Sequence, residues 1–261
     1  VMSGKTVVVF SCGHSDPSVP NDRYSWLGDF LYDLKPDYVV DLGDGADMRS
    51  LNTYDTRYPQ AIVSQSYQAD IEHYNDAMER MRWKFRHNKR KSPRYIGFEG
   101  NHENRIKKAI AIDPRLEGDK YGISFSHLQT DHWFDDYHEY HNSAPALVEY
   151  DGVIYGHYVA SGNYGAAMAT KNHGGSLVDK LACSVTVGHT HKFDYHYKGE
   201  ARKPIHGLVV GCFKGADEAW AGQANLDWRK GFVIKREVQN GDYDIEWVSM
   251  EALRKEYGQV L

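Results

Sequence analysis

The sequence is poor in what membrane proteins, disulfide-stapled secreted domains and broadly nucleic-acid-binding domains need. No apolar run approaches the roughly 18 residues of a membrane-spanning helix, so no membrane partner is expected. Cysteine is scarce: Cys12, Cys183 and Cys212 are the only three in 261 residues. An odd, sparse set fits a reducing compartment better than a disulfide framework. The first strand-like segment, Thr6 to Phe10, begins too early to leave room for a signal peptide, and a cytoplasmic location is the expectation. Positive charge is not in excess either, since the formal net charge is −5, whereas nucleic-acid-binding domains are commonly strongly basic. No internal repeat, low-complexity tract or clear linker divides the chain, which reads as a single domain over residues 1–261.

What the sequence does have is core material and histidine. The hydrophobic fraction is 41%, with 19 Tyr and 6 Trp, enough to build a buried interior. Short β-branched runs recur at Thr6 to Ser11, Tyr38 to Leu42, Tyr95 to Phe98, Val153 to Tyr155, Val185 to Val187 and Leu208 to Val210. Helical periodicity lies between the early ones, at Tyr24 to Leu34 and Ala69 to His87, and a further helix is expected from near Asn101 to Ile112, before Pro114. The second half reads as strands at Ala144 to Val153, Ile205 to Phe213, Gly231 to Val238 and Tyr243 to Val248. This pattern predicts an α/β fold of two sheets packed face to face with helices outside. The polar, aromatic-rich stretches Arg49 to Gln68 and Ser126 to Ser143 are expected to be loops near a site.

Fourteen histidines are many for this length, and histidine is the commonest metal ligand. Five segments place metal-competent residues directly after an expected strand: Cys12-Gly13-His14, Gly43 to Asp47, Gly100 to Glu103, Gly156-His157 and Gly188 to His191. Strand ends of this kind gather ligands at one rim, and neighbouring glycines let the backbone turn sharply. One Asp, one Asn and several His suit Mn, Fe, Zn or Co better than Mg or Ca alone, and their number implies two ions.

In order and context these blocks resemble the calcineurin-like metallophosphoesterase superfamily, phage-encoded and bacterial members in particular. The superfamily pattern is Asp-x-His, Gly-Asp-x-x-Asp, Gly-Asn-His-Glu/Asp, a lone His, then Gly-His-x-His. Four of the five blocks match as they stand, over about two thirds of the chain. The resemblance implies a four-layer αββα sandwich, two mixed β-sheets flanked by helices, with a metal pair at one edge. It implies that Asp44 bridges two transition-metal ions, Mn, Fe or Zn, with Mn expected to serve in vitro. His14 and His191 would complete the first ion, and Asn101, His157 and His189 the second. His102 would stay unligated and act on substrate as general acid or charge clamp. The implied activity is hydrolysis of a phosphomonoester or phosphodiester by a metal-activated bridging water.

Cys12 stands where the family has its first aspartate. Three readings are open: the thiolate ligates, the position is left to water, or Asp16 supplies the carboxylate. Arg105, one turn after His102, is a candidate for contacting substrate phosphate. Asp47 is expected to support its loop by hydrogen bonding, and Glu103 to stabilise a helix start through the dipole. His127 and His173 compete with His157 for the lone-histidine role. His73, His87, His132, His138, His141, His196 and His206 read as ordinary surface or core residues.

Two rival functions remain open on sequence. The basic stretch Arg80, Arg82, Lys84, Arg86, Lys89, Arg90, Lys91 and Arg94, interleaved with Trp83 and Phe85, suits either a nucleic-acid face or a solvated helix end. The partner would then be a nucleotide or nucleic acid and the protein a nuclease of the same fold. The missing first aspartate also fits a catalytically weakened binding protein. Trp133, Phe134, Tyr137, Tyr158 and Tyr164 either stack on a base or pack the sandwich edge.

Overall fold

The computed structural model describes residues 4–53, 65–162 and 165–258. In chain order the first strands are β1 (Lys5–Phe10), β2 (Tyr38–Asp41), β3 (Arg94–Phe98), β4 (Asp136–His138), β5 (Val148–Tyr150) and β6 (Val153–Gly156). They are followed by β7 (Ala160–Ser161), β8 (Ala166–Ala167), β9 (Ser184–Val187), β10 (Phe193–Lys198), β11 (Ile205–Val210), β12 (Gly231–Gln239) and β13 (Asp242–Ser249). The helices are α1 (Asp22–Leu34), α2 (Tyr67–His87), α3 (Asn104–Ile112), the single turn α4 (Thr130–Trp133), α5 (His173–Leu181) and α6 (Met250–Tyr257).

Two mixed sheets result. The first has strand order β13-β12-β1-β2-β3-β4, with β1 to β4 mutually parallel and β12 antiparallel to both its neighbours. The second has order β10-β11-β9-β6-β5, parallel at its centre and antiparallel at both edges. A strand buried on both faces reads as a continuous apolar run, and β1 shows why. Val7 and Val9 join Val40, Leu42, Ile96 and Phe98 in the core that meets Val153, Tyr155, Leu208 and Val210 of the second sheet. Val8 and Phe10 face the other way, toward Tyr24, Leu27 and Leu31 of α1 and Tyr74, Met78 and Met81 of α2. Beyond the second sheet, Val185, Val187 and Val209 pack on Leu177 and Val178 of α5. The layers therefore run helix, sheet, sheet, helix. Each fully buried Val or Leu contributes about 1.5–3 kcal/mol relative to exposure, so the alternation of faces fixes the arrangement.

Two local readings change, and one helix has no counterpart in the sequence reading. The stretch Ala144 to Val153 is not one strand but the hairpin β5-β6, turned at Asp151 (φ 52°) and Gly152 (φ 82°), where positive φ at both positions suits a tight hairpin turn. The segment Ser126 to Ser143 holds α4 and β4 as well as loop. Helix α5 begins His173-Gly174-Gly175, a poor helix-forming start, because the backbone there lies directly on β11. A Cβ on Gly207 would sit 1.9 Å from the Gly174 carbonyl oxygen. Of the expected loop Arg49 to Gln68, residues 54–64 lie outside the described residues, as does Tyr164. Among the described residues, no helix is long and apolar enough to cross a membrane.

Candidate metal centre

Because β1, β2 and β3 are parallel, their C-terminal ends share one edge and present Cys12 and His14, Asp44, and Asn101 together. The parallel pair β6 and β9 delivers His157, His189 and His191 from the second sheet. The loops are held close: a Cβ on Gly100 would fall 2.2 Å from the Asp44 nitrogen, so only glycine fits. Cys12, His14, Asp44, His189 and His191 all adopt left-handed backbone, with φ from 43° to 68°. Each such residue costs about 1 kcal/mol or more, and strain of this kind gathers at functional sites.

Two half-sites meet at Asp44. In one, His14 Nε2 lies 3.1 Å from His191 Nε2 and 4.0 Å from Asp44 Oδ2. In the other, His157 Nε2 lies 3.1 Å from Asn101 Oδ1, 3.2 Å from His189 Nδ1 and 3.2 Å from the same Asp44 Oδ2. Ligands about 2.1 Å from one ion, at angles between 90° and tetrahedral, stand about 3.0–3.4 Å apart. The donors thus have the spacing of neighbouring ligands, apart from the His14–Asp44 pair, which at 4.0 Å is wider. The outer ring nitrogens are also anchored: His14 Nδ1 donates to Asp47 Oδ1 at 2.7 Å and His157 Nδ1 to the Leu42 carbonyl at 2.7 Å. This is the arrangement that orients metal-binding imidazoles.

The electrostatics of three imidazoles and of Asp44 agree with ligand duty, whereas for His157 burial is outweighed by Asp44 and the Leu42 carbonyl, which raise it, and burial pushes the Cys12 thiol well above its ordinary value. Burial, with charge from neighbouring His102 and Lys214, lowers His14 to about 3. Burial and His14 lower His191 to about 2, and burial and His157 lower His189 to about 4. These rings are neutral near pH 7, the form that binds metal. Burial alone would raise the Asp44 carboxyl, but the imidazoles of His157, His102 and His14 outweigh it and hold the group well below the usual carboxylate range.

Cys12 is fully buried, and its sulfur lies within 4.8 Å of donor atoms of His14 and His191, and likewise of Asp44 and His157. Asp16 is turned elsewhere: it accepts from the Ser18 N–H and hydroxyl at 2.7 and 2.6 Å and from Arg49 at 3.3 Å. His102 donates from Nδ1 to the Asp47 carbonyl at 2.7 Å, with its ring edge-on to His14 at 4.4 Å. It also comes within 4.8 Å of donor atoms of His14 and Asp44. Arg105 is partly committed, since its guanidinium donates to the Asp47 carbonyl at 2.8 Å and to His102 Nε2 at 3.3 Å.

Several residues escaped the sequence reading. Glu103 is not a simple helix-start charge: it is 2% exposed and accepts backbone N–H bonds from Asp44, Ala46 and Gly100 at 2.9–3.0 Å. Burial and the nearby Asp44 push it up to about 7. Buried Arg23 ties together the carbonyls of Gly13, Pro20 and Phe213. Trp228 stands edge-on to His191 at 4.5 Å. Nothing in the local spacing of these residues signals the contacts they make across the fold.

The competing candidates lie in different parts of the fold. His127 is bonded to Tyr67 and the Asp119 carbonyl, and His173 opens α5; neither joins the donor groups. Trp133 and Phe134 are buried in the outer core, and Tyr137 packs on Phe134, whereas Tyr158 lies 4.9 Å from His189. In the basic stretch, Arg80 pairs with Asp76 and Asp22, Lys84 with Asp29, Arg86 with Glu79 and Arg94 with Asp136. Arg82 and Arg90 donate to the carbonyls of Trp133 and Tyr32. Comparison with protein-family models gives no match, and comparison with curated proteins gives none either.

Proposed function

We propose that the chain is a phosphoester hydrolase that works through two metal ions, of the calcineurin-like metallophosphoesterase kind. The observation that carries this reading is the position of Asp44 Oδ2, within 4.0 Å of His14 Nε2 in one half-site and 3.2 Å of His157 Nε2 in the other. That oxygen faces both half-sites and could be shared by two cations, while Oδ1 accepts the His102 backbone N–H at 2.9 Å. The order of the ligand blocks along the chain and the helix-sheet-sheet-helix layering support the same reading.

Two divalent cations held there would bind phosphate oxygens and lower the pKa of a water for in-line attack. The chain's own residues do the rest. If Arg105 leaves His102 Nε2, which accepts from it at 3.3 Å, to clamp a phosphate oxygen, that nitrogen would be free to take up the proton that reaches the leaving oxygen. A cavity of about 280 Å³ opens beside Asn101 and His189, walled by Tyr158, Leu51, Ala109 and Ile112, with Arg105 and Lys108 on one side. It has the size and mixed lining for the organic part of a small phosphate ester.

The test is a screen of phosphomonoesters, phosphodiesters and single-stranded DNA against Mn, Zn, Fe and Co, with the metal content of the purified protein measured alongside. Turnover of small esters with two ions per chain and little salt dependence is expected. A nuclease would show a steep loss with ionic strength, an outcome that the bonding of six of the stretch's eight cations within the fold argues against. No turnover with any metal, in folded protein, overturns the proposal.

A further inference from the structure

We infer that the two halves of the centre are chemically unlike, Cys12 serving as a thiolate ligand of the ion held by His14 and His191, so that this half selects a soft cation such as Zn²⁺. The inference rests on the two-metal reading above and deepens it. A buried cysteine is ordinarily a small apolar filler. The surroundings of Cys12 are not those of a filler. Its sulfur lies within 4.8 Å of donor nitrogens of His14 and His191, themselves 3.1 Å apart, and also of donor atoms of Asp44 and His157, so that it sits at the seam of the two halves. The first half is assigned to it because that half otherwise lacks a donor that the second has in Asn101. The Ser11 hydroxyl lies 3.1 Å from the sulfur, and the His189 backbone also hydrogen-bonds to it. The Cys12 N–H donates to the Gly43 carbonyl at 2.9 Å, which ties the cysteine to the loop that carries Asp44.

The alternatives are weaker on the same geometry. Asp16 spends its carboxylate on Ser18 and Arg49 and belongs to none of the donor groups among the described residues. A water in place of a ligand would need room, and Cys12 is fully buried among donor side chains. A thiolate also keeps the charge of the carboxylate it would replace. What changes is softness: sulfur and imidazole favour Zn²⁺, Co²⁺ or Fe²⁺, whereas the Asn101, His157, His189 half offers only nitrogen and oxygen and accepts Mn²⁺. The native centre is then a mixed pair, with one tightly held soft ion and one exchangeable harder ion.

Cobalt substitution tests this without relying on turnover. The wild-type protein loaded with Co²⁺ should show a sulfur-to-cobalt charge-transfer band in the near ultraviolet. Cys12→Ser should lose that band while keeping the visible cobalt bands of the remaining site. Zinc affinity of the first half should fall at least about tenfold in Cys12→Ser and manganese affinity of the second should change little. Cys12→Asp should bind two Mn²⁺ and no longer prefer Zn²⁺. Two bound cobalt ions with no charge-transfer band, or a band that survives in folded Cys12→Ser, overturns the thiolate inference and leaves the two-metal reading standing. Failure of the wild-type chain to bind any cobalt overturns both.

Discussion

Glu103 holds Asp44 in place from behind: one carboxylate oxygen accepts the Asp44 N–H at 3.0 Å and the other accepts the Ala46 N–H at 2.9 Å. The same carboxylate accepts the Gly100 N–H, so a single buried side chain fixes the loops after β2 and β3 relative to one another.

Glu103→Gln puts an amide donor where a backbone N–H already points. It should lower affinity for both ions by about 10–100-fold, as loss of a ligand-orienting group does. It should also cost about 1–3 kcal/mol of stability through an unsatisfied buried N–H. Metal titration and urea unfolding measure the two effects. Unchanged affinity would show that the Asp44 loop holds its shape without Glu103.

His102→Ala should leave both ions bound and cut turnover by about 10²–10⁴-fold, the range for losing a general acid or charge stabiliser. Metal content by elemental analysis and steady-state rates on one ester separate the two. Turnover within twofold of wild type would remove His102 from the chemistry, and loss of an ion would make it a ligand.

Lys108 is exposed on α3 at the mouth of the cavity beside Arg105, and makes no ion pair or hydrogen bond among the described residues. Lys108→Ala should raise KM for an ester carrying a second anionic group by about 5–10-fold and leave kcat nearly unchanged, as loss of uniform binding does. An uncharged ester should be unaffected. Equal effects on both substrates would count against a role in substrate contact.

Lys235 offers a pH test remote from the metal edge. Its amine is fully buried between the sheets, donates to Thr186 and Tyr155, and lies 4.2 Å from the Tyr243 ring centroid. Burial lowers its pKa well below 10.5. The unfolded chain therefore binds a proton that the folded chain resists, and stability rises with pH from the lowered folded value up to about 10.5. Lys235→Met should flatten that rise and add about 1–2 kcal/mol near neutral pH. Thermal melts from pH 7 to 10 decide it; a mutant that keeps the alkaline rise assigns it to another group.

The donor residues were legible in the sequence because all but His191 stand beside glycine after a β-branched run, and parallel strands bring such ends to one edge. The layering was legible for the same reason: runs apolar on both faces demand cover on both sides. Less was visible where a contact is made by direction and not by position. Glu103 has the place of a helix-start charge, yet its carboxylate turns back onto Asp44 and Gly100. Helix α5 was hidden by its Gly174-Gly175 start: Gly174 lets Gly207 approach, a constraint set by a strand some thirty residues later, and Gly175 leaves room for the capping side chain of Asn172. The β5-β6 hairpin carried its own signal, Asp151-Gly152, inside a stretch whose apolar content reads as continuous.

The donors are divided between the two sheets: His14, Asp44 and Asn101 hang from one, His157, His189 and His191 from the other. A pair of cations among them would act as a rivet through the sandwich, tightening it by mass action as ion concentration rises. It would also impose an assembly order, because the rivet has nowhere to seat until the polypeptide has been made through His191 and the layers have closed on each other.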